Sequence, residues 1–489
     1  MRSIVVGAGL GGLTTATLLA RHGHTVTVLE QSDQPGGKMG RMTFDGCTFD
    51  TGPSLITMPF VLDAFFRHAG TSLHEQLDLI PIDPACHYRW SEGSRLDVPF
   101  DVQAIPDAIG QLSPADVPSM RRYLDHSASI YRATKDVFIF SAFDGIVEFI
   151  KPRNLHLLPA LPRLRFTQTM HDLHRSTFQD RRIVQLMDRF ATYNGSSPYR
   201  APATLAVIPH VEFAYGAWYP RGGIYAIAEA FARVASMQGV DVRYRSAVQR
   251  IDHDGRRVRG VVTADGERIE ADLVVSNVDA HITRTTLLGE SAPEPKDPST
   301  SGFIMLMSVD RRDVGLRHHN VLFSDDYRRE FTDIVERRVP AEDMTIYIAR
   351  SAHTDHTQAP PDRENWFVLV NAPADGKRDG TWQQTAPAYA ERVLQRMRRF
   401  GIDPSIREMH LRTPDDMVRM WSADRGSLYG RSSNSMFSAF LRPRQRSKRF
   451  PNLWYVGGSA HPGGGVPLVT TSGMLAAEGI LGRQFHVQS

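Results

Sequence analysis

Apolar and glycine positions alternate sharply at the start of the chain. Residues 3–6 form a short β-rich run, and Gly7-Ala8-Gly9-Leu10-Gly11-Gly12 follows as a turn. Leu13, Ala16, Thr17 and Ala20 then share one face, which predicts a helix over 13–22. Gly23 stops it, and 25–29 reads as a second strand that ends at Glu30. The opening is a βαβ unit. Helical patterns mixed with aromatic and basic residues occupy 101–200. Strands are predicted over 242–244, 258–262 and 269–275, with Asp254-Gly255 and Asp265-Gly266 as hairpin turns. The Pro-, Ser- and charge-rich stretch 291–299 reads as a linker, and 303–309 alternates as a strand. A strand over 453–456, a glycine-rich loop and a helix over about 469–481 close the chain. No internal repeat or low-complexity tract interrupts this pattern.

The chain has 489 residues, which predicts two to four domains or one large interleaved fold. Apolar residues at 41% and charged residues at 23% argue against wholesale disorder and against a polytopic membrane protein. Two cysteines, Cys47 and Cys86, exclude a disulfide scaffold and a cysteine-built metal site, so no metal is expected. A net charge of +3 is too balanced to indicate nucleic acid. The apolar run begins almost at the first residue, so no signal peptide is expected. Residues 450–477 lack charge but hold six Gly and three Pro, a poor spanning helix. A cytoplasmic, soluble or membrane-surface protein is expected.

Gly7-x-Gly9-x-x-Gly12 follows a predicted strand and opens a helix, and Glu30 stands 18 residues beyond Gly12. Gly7 permits the turn, Gly9 lets the backbone approach a pyrophosphate, and Gly12 lets helix and strand pack closely. The helix N-terminus supplies N–H donors to phosphate. Glu30 can accept from a ribose diol and repels a 2′-phosphate, which favours FAD or NAD over NADP. Pro35-Gly36-Gly37-Lys38 and Phe49-Asp50-Thr51-Gly52-Pro53-Ser54 follow where an NAD domain would continue with another βα unit. More glycine and a cation suit a longer, wrapped cofactor, FAD, with Lys38 placed to neutralise its pyrophosphate.

With these segments the chain resembles the bacterial-type phytoene desaturases, FAD-dependent carotenoid desaturases and isomerases of the amine-oxidase-like flavoprotein superfamily. Three further stretches carry the resemblance. They are His319-Asn320-Val321-Leu322-Phe323-Ser324-Asp325-Asp326-Tyr327, then Ile346-Tyr347-Ile348-Ala349 with the 354–361 loop, and Gly457-Gly458-Ser459-Ala460-His461-Pro462-Gly463-Gly464-Gly465-Val466-Pro467. The family usually has Arg where Lys38 stands, which keeps the charge but loses the bidentate fork. The wording of 50–59 and 457–468 is most similar to the hydroxycarotenoid 3,4-desaturases, also called hydroxyneurosporene or methoxyneurosporene desaturases.

The resemblance implies an α/β fold in which a Rossmann-like FAD-binding domain interleaves with an α+β substrate domain. FAD-binding parts are expected at 1–85, 206–290 and 446–489, and substrate-domain parts at 86–205 and 291–445. Its implied cofactor contacts are Gly7, Ala8, Gly9, Leu10, Gly11, Gly12, Glu30, Gly37, Lys38, Gly52, Pro53 and Ser54. Val248 would hold the adenine through its backbone, and Asn277 would cap or contact the cofactor. Gly458, Ser459, Gly465, Val466 and Pro467 would lie against the flavin, with the last helix's partial positive charge facing its N1/O2 edge. No catalytic residue is assigned; His461 reads as structural, with a catalytic base as the alternative.

The implied reaction dehydrogenates a C–C bond, C3–C4 of a 1-hydroxycarotenoid, with hydride leaving to the flavin. Alternatives are a phytoene or diapophytoene desaturase, a retinol saturase, an amine oxidase, and a non-enzymatic lipid-binding protein on the same scaffold. Residues 151–190 carry eight Lys/Arg against three Asp/Glu, beside apolar positions from Phe138 to Leu164. That mixture suits peripheral docking on an anionic membrane. The aromatic group Tyr193, Tyr199, Phe213, Tyr215, Trp218 and Tyr219 either lines a polyene channel or packs a core. Homo-oligomerisation stays open.

Overall fold

The computed structural model describes residues 1–143, 151, 154, 165, 167–294, 297–312, 314–376, 382–435 and 442–488. Five parallel strands form one sheet, in the order Leu453–Tyr455, Leu273–Ser276, Arg2–Val6, Thr25–Leu29 and Asp241–Arg243. Both faces of this sheet are covered, so its strands are runs of Val, Ile and Leu rather than alternating patterns. Val5, Val28 and Val275 pack under the helices Leu10–Arg21, Tyr225–Met237 and Val466–Leu481. Ile4, Val6 and Val274 face a three-stranded antiparallel sheet of Val248–His253, Val258–Thr263 and Arg268–Glu270. The two predicted hairpin turns connect these strands, with Gly255 and Gly266 both at positive φ.

A second, seven-stranded sheet runs in the order Ile406–Arg412, Ser301–Asp310, Arg363–Ala372, Ile346–Ala349, His319–Leu322, Cys86–Arg89 and Arg95–Val98. It is antiparallel except where His319–Leu322 pairs in parallel with Cys86–Arg89. Helices Val117–Phe138, Met170–Thr177, Arg181–Asp188 and Val207–Tyr215 pack beside it. The chain therefore joins an α/β layer to an α+β layer, the architecture that the resemblance implies.

Several expected boundaries move. The first helix begins at Leu10, so Gly11 and Gly12 lie inside it rather than in the turn. Their lack of Cβ outweighs their poor helix propensity: a Cβ on Gly12 would stand 2.3 Å from the Gly7 carbonyl oxygen. The last helix begins at Val466, because Pro467 is tolerated in a first turn. The single strand expected over 269–275 is two. Arg268–Glu270 belongs to the antiparallel sheet and Leu273–Ser276 to the parallel one. Between them Asp272 accepts from the Arg2 amide at 2.8 Å and donates its own amide to the Arg2 carbonyl at 2.9 Å. The expected alternation over 303–309 is absent, because Ser301–Val309 is buried throughout. Phe303, Met305 and Met307 enter one core and Ile304 and Leu306 another. The end of the expected linker is fixed: Ser299 is buried and donates its amide to the Gly430 carbonyl at 2.8 Å.

Much of the expected membrane-docking segment, including residues 144–150 and 155–164, lies outside the described residues. Among the described residues no helix is long and apolar enough to cross a membrane.

Candidate active site

The two layers enclose a cavity of about 1090 Å³. This exceeds the usual range for one small ligand, ~300–1,000 Å³. One end is built from backbone. Gly9 caps the first helix, so the first-turn amides have no acceptor within the helix and are open to a ligand. The 35–38 loop lies against this turn: Gly36 donates its amide to the Ala8 carbonyl at 2.9 Å. Glu30 locks the turn from inside. One carboxylate oxygen accepts from the Ala8 amide at 2.7 Å, the other from the Ser32 amide and hydroxyl, both at 2.9 Å.

Gly7, Gly9, Leu10, Gly11, Glu30, Gly37, Lys38, Gly52, Pro53, Ser54, Val248, Asn277, Gly458, Ser459, Gly465, Val466 and Pro467 all line the cavity. Ala8 and Gly12 do not line it. Ala8 contributes the amide held by Glu30, and Gly12 contributes the space that lets helix meet strand. Asn277 lies across the glycines, since a Cβ on Gly9 would meet its amide nitrogen at 2.3 Å. Val248 begins the strand whose register breaks at Gln249, and that irregularity turns Gln249 toward the cavity as well. Asp50 of the 49–54 segment points away. Its carboxylate accepts the Ile224 and Tyr225 amides, each at 3.0 Å, at the start of helix Tyr225–Met237.

The residues present fit FAD. Gly465 sits at φ +105° and an added Cβ would meet nothing within 4 Å, so the loop leaves open space ahead of the last helix. Gly9 to Gly11 and the first-turn amides would hold the pyrophosphate. Glu30 would hold the ribose and Val248 with Gln249 would flank the adenine. Gly458, Ser459 and Gly465 to Pro467 would carry the ring. Ser459 is itself fixed, its hydroxyl accepting the Ala280 amide at 2.9 Å.

Lys38 is less free than its place in sequence implies. Its ammonium donates to the Leu428 and Ser427 carbonyls at 2.5 and 3.3 Å, and burial lowers its pKa to about 8 against a raising effect of Asp279. An amine whose folded pKa is depressed binds fewer protons when folded than when unfolded. Apoprotein stability should therefore rise as pH climbs from about 8 towards the ordinary lysine value of 10.5. Melting curves should show that rise for the wild-type apoprotein and lose it in Lys38→Met. FAD-loaded protein should lose it too, since a pyrophosphate beside the ammonium would retain the proton. A wild-type apoprotein with no such slope would contradict this.

Arg442 escaped sequence reasoning, lost in the basic run 442–449. Its guanidinium donates to the Tyr429 and Gly458 carbonyls at 3.0 and 3.1 Å and to Asn194 Oδ1 at 2.6 Å. It thus ties the C-terminal glycine loop to the substrate layer. Ser54 does the same on the other side, sharing a 2.6 Å bond with the Tyr347 hydroxyl, which in turn meets His319 Nδ1 at 2.7 Å. Burial lowers the His319 pKa to about 3, so that ring is neutral. His461 donates Nε2 to the Ser141 carbonyl at 2.9 Å and is likewise neutral, its pKa lowered to about 4 by burial.

Apolar side chains line much of the rest of the cavity: Ile130, Phe138, Ile139 and Val211 from the helical layer, and Ile304, Val321, Phe367 and Leu369 from the seven-stranded sheet. Of the aromatic group expected here only Tyr193 lines it. Phe213 is core, and Trp218 packs edge-on against Phe100 at 5.2 Å.

A glycine-lined backbone cradle that opens into an apolar chamber agrees with what the chain is similar to. The family model described as flavin containing amine oxidoreductase matches residues 10–481. The chain belongs to that family. It is an FAD-dependent oxidoreductase. Among its relatives, the 1-hydroxycarotenoid 3,4-desaturase of Flavobacterium sp. (strain P99-3) is 32% identical over 98% of each chain. The hydroxyneurosporene desaturase of Rubrivivax gelatinosus is 36% identical over 98% of this chain and 93% of its own. The 4,4′-diapolycopene oxygenase of Methylomonas sp is 33% identical over 98% of each. An oxidoreductase from Methanosarcina mazei superposes with a TM-score of 0.67 at 18% identity, covering 98% of this chain and all of its own. Rab GDI from Plasmodium falciparum reaches 0.56 at 12% identity, covering 99% of this chain and 98% of its own. These likenesses show the fold alone; the enzyme class rests on the family match and the desaturase relatives.

Proposed function

We propose that the protein desaturates a carotenoid, converting the C3–C4 single bond of a 1-hydroxycarotenoid into a double bond. The observation that carries this reading is the continuity of the cofactor cradle with an apolar chamber in one cavity of about 1090 Å³. When bound, FAD supplies the hydride acceptor, and the neighbouring carbon gives up its hydrogen as a proton. The chain's residues do the rest. The apolar walls exclude water and hold the polyene against the glycine loop. Ser54, Tyr347 and Arg442 fix the two layers at the junction. The buried imidazoles of His319 and His461 stay neutral and leave the cavity without added positive charge.

Two 1-hydroxycarotenoid and hydroxyneurosporene desaturases among the relatives support the choice of substrate. We extend the proposal to place: a cytoplasmic protein docked peripherally on membrane, where its insoluble substrate resides. Phe138, Ile139 and Phe140, half-buried apolar residues at the C-terminal end of helix Val117–Phe138, support that placement.

The test is product analysis after incubating FAD-loaded protein with liposomes containing a 1-hydroxycarotenoid, phytoene or a C30 polyene. The proposal expects loss of two hydrogens from the hydroxylated substrate and little change in the others. Gain of oxygen would move the chain towards its oxygenase relatives. Several desaturations of phytoene would contradict the choice of substrate.

A further inference from the structure

Four polar residues interrupt the apolar chamber. Arg189, Tyr193, Thr204 and Glu212 all line the cavity, and the side chains of Arg189 and Glu212 are 8% and 5% exposed. Arg189 donates to the hydroxyls of Tyr88 at 2.7 Å and Tyr193 at 3.3 Å, and reaches Glu212 at 3.5 Å. The Tyr193 hydroxyl donates to the other Glu212 oxygen. Around them stand Ile130, Val207, Ile208, Val211 and Val321. Burying an ion pair in such a place costs free energy that a hydrocarbon ligand cannot return.

The cluster is also incomplete. The Thr204 hydroxyl and Arg189 Nε are buried with no hydrogen-bond partner. One Glu212 oxygen has only the 3.5 Å contact to Arg189. Buried polar groups are ordinarily paired, so these mark a ligand group. They offer donors and an acceptor together, the complement of an alcohol, which both donates and accepts.

We infer that Arg189, Tyr193, Thr204 and Glu212 recognise the terminal hydroxyl of the polyene and so set specificity for hydroxylated over hydrocarbon substrates. This rests on the desaturase reading proposed above. Position agrees with that chemistry. Tyr193 adjoins Asn194, which Arg442 ties to the Gly458 loop. A C1 hydroxyl is only a few bonds from C3 and C4, so its pocket must stand close to the glycine loop that would carry the flavin. A site built to hydrogen-bond a hydroxyl rejects an analogue that lacks it, because its own buried groups are then left unpaired.

The experiment titrates a 1-hydroxycarotenoid and the hydroxyl-free carotenoid of the same polyene length into FAD-loaded protein. Binding is read from quenching of tryptophan fluorescence, Trp421 being part of the cavity wall. Steady-state kcat and KM are measured in parallel. Thr204→Val and Tyr193→Phe are compared with wild type. Wild type should bind the hydroxylated ligand at least about tenfold tighter. Each variant should lose about tenfold for that ligand, in Kd and KM, and change little for the hydrocarbon. Thr204→Val should melt no lower than wild type, because its hydroxyl has no protein partner to lose.

Equal weakening of both ligands, or no discrimination by wild type, would overturn the assignment while leaving the desaturase reading intact. Failure to bind or desaturate either carotenoid would sink that reading, and the hydroxyl site with it.

Discussion

Gly12→Ala is expected to purify with less than about a tenth of the FAD of wild type and with a lowered melting temperature. The new methyl would stand 2.3 Å from the Gly7 carbonyl oxygen and 3.1 Å from both Asn277 Cβ and Val5 Cγ1. None of these can yield cheaply. Gly7 is at φ +96° with its amide bonded to the Leu29 carbonyl at 2.8 Å, and Val5 is fully buried in the central strand. Overpacking of this kind costs about 1–3 kcal/mol, and a backbone obstacle puts it at the upper end. Any relief moves the helix off the strand, and with it the first-turn amides that would meet the pyrophosphate. Flavin absorbance after gel filtration, with thermal melts on the same sample, measures both effects. A variant with full flavin and an unchanged melt would show that the tight crossing of strand and helix is not required.

Glu30→Ala should raise the FAD dissociation constant about a hundredfold, roughly 3 kcal/mol. Its carboxylate holds the Ala8 amide on one oxygen and the Ser32 amide and hydroxyl on the other. Hydrogen bonds to a charged group contribute about 1.5–3 kcal/mol each. Part of that loss falls on the fold. The rest falls on the cofactor, because the turn loses its shape and the ribose loses its acceptor. Glu30→Gln should recover part of the affinity, since one acceptor oxygen remains while the charge and the second acceptor do not. Fluorescence titration of apoprotein with FAD checks the order wild type, Gln, Ala. A change below about threefold for Ala would contradict the role given to Glu30.

The cofactor end was legible because its chemistry is local. Gly7, Gly9, Gly12 and Glu30 lie within one βαβ unit, where turn, helix and acid depend on neighbours in sequence. The C-terminal loop was legible for the same reason, Gly463 to Gly465 running directly into a helix. Boundaries failed where tertiary packing overrode propensity. Gly11 and Gly12 entered a helix because their neighbours need their bare backbone, a Cβ on Gly11 falling 3.1 Å from the Val469 carbonyl oxygen and one on Gly12 falling 2.3 Å from that of Gly7. The 303–309 strand did not alternate because it is covered on both faces. Arg189, Thr204 and Glu212 gave no signal at all. They come from different helices and turns, and their meaning lies in their shared burial within an apolar cavity. Arg442 was hidden among other basic residues, and only its reach to Gly458 and Asn194 sets it apart.

The most direct measurement of the central claim is an anaerobic single turnover. FAD-loaded protein on liposomes is mixed with a 1-hydroxycarotenoid in the absence of oxygen, and flavin and polyene absorbance are followed together. The account predicts one flavin bleached per double bond formed, with a red shift of the polyene and no oxygen in the product. Unbleached flavin with an unchanged polyene, despite bound FAD and bound substrate, or a reaction that starts only when oxygen is admitted, would contradict it.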